Sequence, residues 1–300
     1  MKKIIVLLIF TLTLTLVGCD SSNQSKEVIN KTSFEVIKEL KPLTEVSELG
    51  NLSIITNDEV GRERISRYLS GMEATEPFDT TGFIDAAVLT PFMNVDARSI
   101  LVVRFDDTVD PSVIKEKLQN FASHLICVQI KNYEIINVGN YYLFSGISDN
   151  AEVVETFSNM SFQRDENISS TTSIDVIVSK LTEDTDAKLY GNIRYYDNEL
   201  SMGELKYTLS KDGEINVDGI EEAFLSFDYD TQETIFIIKG ELTDEIITAV
   251  EGLDNMFVNM HMSEEPLENT HISRQGNFMI FTNFPNSEEV IKYFNNLELK

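Results

Sequence analysis

Histidine, cysteine, glycine and basic side chains are all scarce in this 300-residue chain, and each shortage removes a class of function. Three histidines (His124, His261 and His271) and two cysteines (Cys19 and Cys127) leave little from which to build a zinc site, and neither HExxH nor CxxC occurs. The 14 glycines are thinly spread. They form no GxGxxG or Walker loop to cradle a phosphate, and no Gly-x-Ser-x-Gly turn to expose a nucleophilic serine. Lysine and arginine number 24 against 50 acids, a formal net charge of −26. Such a surface repels nucleic acid, whose binding relies on basic groups that neutralise phosphates, and it repels anionic lipid head groups too. Cations or basic partners are admitted without being required; solubility alone accounts for the acid excess. Tryptophan is absent. No catalytic set, metal site or cofactor is expected.

Also lacking is any apolar run long enough for a permanent membrane span. The longest opens the chain. Met1-Lys2-Lys3 is a positive start, and Ile4 to Val17 follow as 14 uncharged residues in which only Thr11, Thr13 and Thr15 are polar. A bilayer core takes roughly 20 residues, so this run fits the core of a secretory signal. It ends in Leu16-Val17-Gly18-Cys19, which resembles the lipobox of bacterial lipoproteins at every position. Small side chains admit a peptidase to the bond between Gly18 and Cys19, and the Cys19 thiol is the atom that receives the diacylglyceryl group. Each buried methylene of the acyl chains contributes about 0.8 kcal/mol to anchoring. Residues 1–18 are therefore expected to be a signal peptide and 19–31 a lipidated cysteine with a polar tether. The body would then stand on the outer face of the cell membrane. Asp20 resembles an inner-membrane retention signal in two-membrane bacteria and has no such meaning in single-membrane ones. With Cys19 acylated, Cys127 has no disulfide partner. It lies in Leu125-Ile126-Cys127-Val128 and reads as a small buried hydrophobe.

What the rest of the chain does have is a repeat, at an offset of about 135 to 141 residues. About 280 residues after the signal suffice for two domains. Thr32-Ser33-Phe34-Glu35-Val36-Ile37 corresponds to Thr172-Ser173-Ile174-Asp175-Val176-Ile177, a helix start with an acid in the first turn. Gly50 to Ile55 corresponds to Gly191 to Tyr196, and Arg67-Tyr68-Leu69-Ser70 to the stretch Lys206 to Ser210 in a short helical or irregular piece. Gly82 to Leu89 matches Gly219 to Leu225, and after a polar turn Ile100 to Arg104 matches Ile235 to Lys239; β-branched and aromatic bias makes these a hairpin. Asp110-Pro111 opens a helix with Ile114, Leu118, Phe121 and Leu125 on one face, echoed by Ile246, Val250, Leu253 and Phe257. Gly139-Asn140 and Gly276-Asn277 mark the turns of second hairpins, over Tyr133 to Phe144 and His271 to Phe281. Helices at Glu152 to Phe157 and Glu289 to Phe294 close each copy. The expected fold class is α+β: two duplicated modules, 32–160 and 172–300, each a mostly antiparallel sheet of two hairpins covered on one face by helices. Residues 161–171 read as a polar linker.

These elements carry a resemblance. The module is similar to small domains of unknown function found in lipoproteins of Gram-positive, often spore-forming, bacteria. Tyr68, Gly82 to Leu89, Ile100 to Arg104 and Gly139 to Phe144 carry it in the first copy, and Tyr207, Gly219 to Leu225, Ile235 to Lys239 and Gly276 to Phe281 in the second. An Arg and a Gln one turn apart, frequent in the central helix of that family, are missing from both copies. The resemblance implies a fold and a location, and no activity.

Two acidic clusters remain. Asp228-Tyr229-Asp230-Thr231-Gln232-Glu233 spaces its acids like the start of a calcium loop but lacks the central glycine, and Asp106, Asp107 and Asp110 precede a helix, where acids favour the positive dipole end. Solvated turns explain both. Matched aromatics read as core; Tyr195 and Tyr196 stand where Ile54 and Ile55 stand in the first copy, which favours packing over sugar stacking. The expected function is a non-enzymatic binding or interaction module held at the envelope by lipid, its partner an envelope protein or a small solute. The alternative is a solute- or peptide-binding lipoprotein receptor, although such receptors usually have parallel-sheet lobes.

Overall fold

The computed structural model describes residues 30–44, 50–71, 76–91, 98–124, 129–147, 150–164, 173–185, 187, 189, 192–197, 199–210, 213–228, 231–254 and 267–299. Gly18, Cys19 and the rest of the expected signal and tether up to residue 29 lie outside the described residues. So do the turn at 92–97, Leu125, Cys127, linker residues 165–171, Asp230, Phe257 and His261.

Both halves run through the same elements in the same order. The first has α1 (Ser33–Leu40), β1 (Gly50–Ile55), α2 (Glu59–Ser70), β2 (Phe83–Pro91), β3 (Ile100–Phe105), α3 (Pro111–Leu118), β4 (Glu134–Val138), β5 (Tyr141–Ser145) and α4 (Ala151–Asn159). The second has α5 (Ile174–Asp184), β6 (Asn192–Tyr196), α6 (Glu199–Leu209), β7 (Ile220–Phe227), β8 (Thr234–Gly240), α7 (Asp244–Glu251), β9 (His271–Gln275), β10 (Phe278–Thr282) and α8 (Ser287–Asn296). Two five-stranded sheets result, ordered β1-β2-β3-β5-β4 and β6-β7-β8-β10-β9. Every strand pairing is antiparallel. The fold is α+β with two similar sheet modules. To the two expected hairpins each sheet adds a fifth strand, β1 or β6.

Local chemistry explains the elements. Thr32 and Glu35 form a reciprocal capping box at α1: Glu35 N–H donates to Thr32 Oγ1 at 3.2 Å and Thr32 N–H to Glu35 Oε2 at 2.7 Å. Asp110 caps α3 by accepting from Ser112 N–H at 2.8 Å, with Pro111 in the first turn. The Gly-Asn loops are two residues long, and the glycines sit at φ 55° (Gly139) and 60° (Gly276), the positive value that a tight hairpin asks of its first turn residue. The expected stripe is buried, although the α-helix ends at Leu118: Ile114 and Leu118 of α3 and Phe121 of the 3₁₀ turn Gln119–Ser123 are fully covered, as are Ile246 and Val250 of α7 and Leu253 just beyond it.

One expectation needs correction. Helices cover both faces of each sheet, not one. Strand β3 is buried at all six positions. Its Leu101 and Val103 face an outer core with Ile65 and Leu69 of α2 and Ile114 and Leu118 of α3. Its Ile100 and Val102 face inward onto α1 and α4. The second module has its own outer core beneath α6 and α7. Burial on both faces is why these strands read as continuous apolar runs.

The inner faces do not form two cores. One cluster joins Phe34, Val36, Ile37 and Leu40 of α1 to Ile174, Ile177, Val178 and Leu181 of α5, together with inward residues of both sheets. Phe34 meets the rings of Tyr195 and Phe224, both from the other module, at 6.2 Å each. Helices α1 and α5 pack together, and terminal strands β1 and β6 lie side by side. Ion pairs cross the same seam. Lys38 and Lys41 reach Asp197 at 2.6 and 2.7 Å. Arg164 bridges Glu35 of α1 at 2.6 Å and Glu183 of α5 at 2.8 Å. The first residues of the expected linker are thus packed: Phe162 stacks on Tyr141 at 4.2 Å, and Gln163 bridges to Asn30.

Candidate binding cleft at the module junction

Where α1 and α5 converge above the sheet of the first module, they leave a cleft of about 360 Å³. Thr32 and Asp85 line one side with Arg104, and Ser179 and Glu183 of α5 line the other. Thr32 Oγ1 and Ser179 Oγ share a buried hydrogen bond at 2.8 Å across it.

The charged groups are held in pairs. Strand β2 has a bulge between Phe83 and Asp85, which sets Asp85 opposite Arg104 on β3. Arg104 Nε donates to Asp85 Oδ1 at 2.9 Å, and its Nη2 donates to Oδ2, a two-pronged contact. Burial works against the Arg104 charge; Asp85 more than restores it and raises the guanidinium pKa. The same carboxylate accepts from Ser33 N–H at 3.2 Å and so closes the buried start of α1. Burial lifts the Glu183 carboxyl above its ordinary value while Arg164 pulls the other way. Burial would also raise Asp197, but Lys38 and Lys41 bring it below the usual carboxylate value.

A counterpart of this arrangement is built into the second module. Strand β7 is bulged between Ile220 and Glu222, and Glu222 faces Lys239 of β8. Glu222 Oε1 accepts from Ile174 N–H at 2.9 Å, closing the start of α5. Arg104 lies over the Tyr141 ring at 5.5 Å, and Lys239 over Phe278 at 5.8 Å, with both rings on the fifth strand of the module in chain order. Acid after the bulge, base on the next strand, aromatic beneath and helix start above form one device used twice. The charge pair is not among the residues expected from the sequence, although the segments that carry it are matched there. The signal was available: Asp85 and Glu222 precede matched alanines, and Arg104 and Lys239 end matched apolar runs.

Other residues singled out in the sequence stand apart from the cleft. His124 follows the 3₁₀ turn after α3, and His271 opens β9. Asp106 accepts from Thr108 N–H at 2.9 Å, Asp110 caps α3, and Asp228 accepts from Thr231 N–H at 2.9 Å, so these acids serve their own turns. Among the described residues no three His, Cys, Asp or Glu side chains group in a way that could hold a metal, and no helix is long and apolar enough to cross a membrane. Tyr195 is buried, whereas Tyr207, matched to Tyr68 in the alignment, is 60% exposed and not core.

Chemically, the cleft offers hydroxyls and already paired charges. Thr182 and Thr185 donate to backbone carbonyls of α5, and Asp58 caps α2 through Gly61 N–H at 2.9 Å. Neither histidine nor cysteine is among the described lining residues. Phe34, Ile54, Ile84 and Val178 complete the lining, so the cleft sets a few hydrogen-bonding groups in a largely apolar surface. No family model, curated protein or solved structure matches this chain.

Proposed function

We propose that the chain is a lipid-anchored extracytoplasmic protein whose fused pair of modules acts as a non-enzymatic binding or interaction body at the cell envelope. One observation carries the reading: an uncharged run of signal length that ends in Leu16-Val17-Gly18-Cys19. The resemblance to modules of Gram-positive lipoproteins supports the same location. The acidic surface supports a body held clear of anionic head groups by the segment after Cys19. Labelling cells with a palmitate analogue tests the anchor. The wild-type chain takes up label and partitions with membranes, and Cys19→Ala abolishes both. Label that survives the substitution refutes the anchor.

A second reading, a solute- or peptide-binding receptor, draws support from the cleft between the modules. Thermal-shift screening with small metabolites separates the two. A rise of several degrees for one solute favours the receptor, whereas specific co-purification of an envelope protein without any such shift favours the interaction body.

A further inference from the structure

A second cavity lies on the far side of the first module, away from the junction. It occupies about 580 Å³ between α2 and the 3₁₀ turn Gln119–Ser123, within the range of small-molecule sites. Its chemistry differs from that of the rest of the molecule. In a chain with twice as many acids as bases, Arg64 and Arg67 stand one turn apart on α2 and both line this cavity. Neither forms an ion pair among the described residues. Arg64 donates to Ser53 Oγ at 3.1 Å and lies over the Tyr68 ring at 6.0 Å; Arg67 is exposed. A carboxylate is the group that such paired guanidinium forks fit.

The inner wall is aromatic. His124 stacks on Phe121 at 3.8 Å and meets Tyr68 edge-on at 5.7 Å. Its Nδ1 sits 2.6 Å from the Phe121 carbonyl, which places the ring proton on Nδ1 and leaves Nε2 as an acceptor. That Nε2 is buried and has no hydrogen-bond partner among the described residues. Glu76 supplies one carboxylate at the same cavity. Elsewhere around it the polar groups are already used: Ser66 donates to the Phe78 carbonyl, Ser70 accepts from Phe78 N–H, and Asn120 donates to the Leu69 carbonyl. Two forks for an anion, one acid for a cation and the aromatic rings of Tyr68 and His124 in one lining describe a zwitterion with an apolar side chain. A phosphate has two negative charges to set against Glu76 and a chain already at −26, which disfavours it.

We infer that this cavity binds a free amino acid with an apolar or aromatic side chain, the carboxylate on Arg64 and Arg67 and the ammonium towards Glu76. The inference rests on neither the lipid anchor nor the junction cleft.

The test uses the full chain purified in detergent, with L-phenylalanine as probe, followed by calorimetry and saturation-transfer NMR. L-Phenylalaninamide (no carboxylate), 3-phenylpropionate (no ammonium) and inorganic phosphate serve as comparison ligands. L-Phenylalanine is expected to saturate, with each truncated analogue about tenfold weaker or worse. Arg67→Ala, at an exposed position, is expected to weaken phenylalanine about tenfold without moving the melting temperature, and Arg67→Lys to weaken it less. No saturation by L-phenylalanine, equal binding of all three organic ligands, tighter binding of phosphate, or full affinity in Arg67→Ala overturns the inference.

Discussion

The acid after the bulge meets its base differently in the two modules. Asp85 grips Arg104 through two parallel hydrogen bonds. Glu222, one methylene longer, stands 3.9 Å from Lys239, which pairs instead with Glu221 at 2.7 Å. The oxygens of Glu222 go to the start of α5 and to the Tyr195 hydroxyl. Isoleucine occupies the Tyr195 position in the first module, and the hydroxyl that Asp85 accepts from is that of Ser33, at 2.5 Å. What both acids keep is the helix start: Ser33 N–H in one case, Ile174 N–H in the other. The partners of the buried acid differ between the modules, while each acid closes the first N–H of a helix, one position apart in the matched segments (Ser33 matches Ser173, and Phe34 matches Ile174). That order of priorities follows from energetics, since a buried donor left unpaired is expensive wherever it lies, while the choice of counter-charge is open.

The largest expected effect separates the two acids. Asp85→Ala leaves Arg104, 10% exposed, without its carboxylate and should cost about 3–5 kcal/mol. Glu222→Ala leaves Lys239 with Glu221 but removes the acceptor of both the α5 start and the Tyr195 hydroxyl, for about 2–3 kcal/mol. Urea unfolding measures both. Equal losses would mean that the arginine fork has no special weight.

Next come two glycines with opposite prospects. Gly61 in α2 lies where a Cβ would fall 1.9 Å from the Thr56 carbonyl oxygen, whereas a Cβ on Gly203 in α6 would meet nothing within 4 Å. Gly61→Ala should destabilise by about 1–3 kcal/mol through backbone displacement. Gly203→Ala should stabilise by about 0.5–1 kcal/mol through helix propensity. Melting temperatures that move in the same direction would break the contrast.

The smallest effect is a pH dependence carried by the first module. Burial lowers the His124 pKa from its ordinary 6.5, with the Phe121 carbonyl opposing. As pH falls past about 6.5, the unfolded chain takes up a proton that the folded chain resists. Stability should therefore fall from pH 7 towards pH 5 and return as pH rises. His124→Phe should flatten that slope; an unchanged slope places the titration elsewhere.

Much of each module is legible in the sequence because its signals are local. Gly139-Asn140 and Gly276-Asn277 announce their hairpins, Asp110-Pro111 its helix, and Ile100 to Val103 its strand. Strand β1 is harder to read, since Gly50, Asn51 and Ser53 dilute its apolar pattern. The second layer of helices is implied by β3, where adjacent apolar residues must each find cover, but no periodicity says which helix covers which face. The junction is harder still. Phe34 and Val36 read as a stripe for their own sheet, and nothing near them names Tyr195 or Ile174 as partners. The cleft exists only once those partners meet, so its lining could not be gathered from motifs.

The central physical claim is that two copies of one module share a core through α1 and α5 and cannot unfold apart. The absence of tryptophan makes a clean test possible. Phe78→Trp reports on the outer core of the first module and Met202→Trp on that of the second, both at partly buried positions. A shared core predicts that the two fluorescence transitions in urea coincide in midpoint and slope, and also coincide with the loss of helix by circular dichroism. Two separated midpoints, one for each reporter, would contradict it.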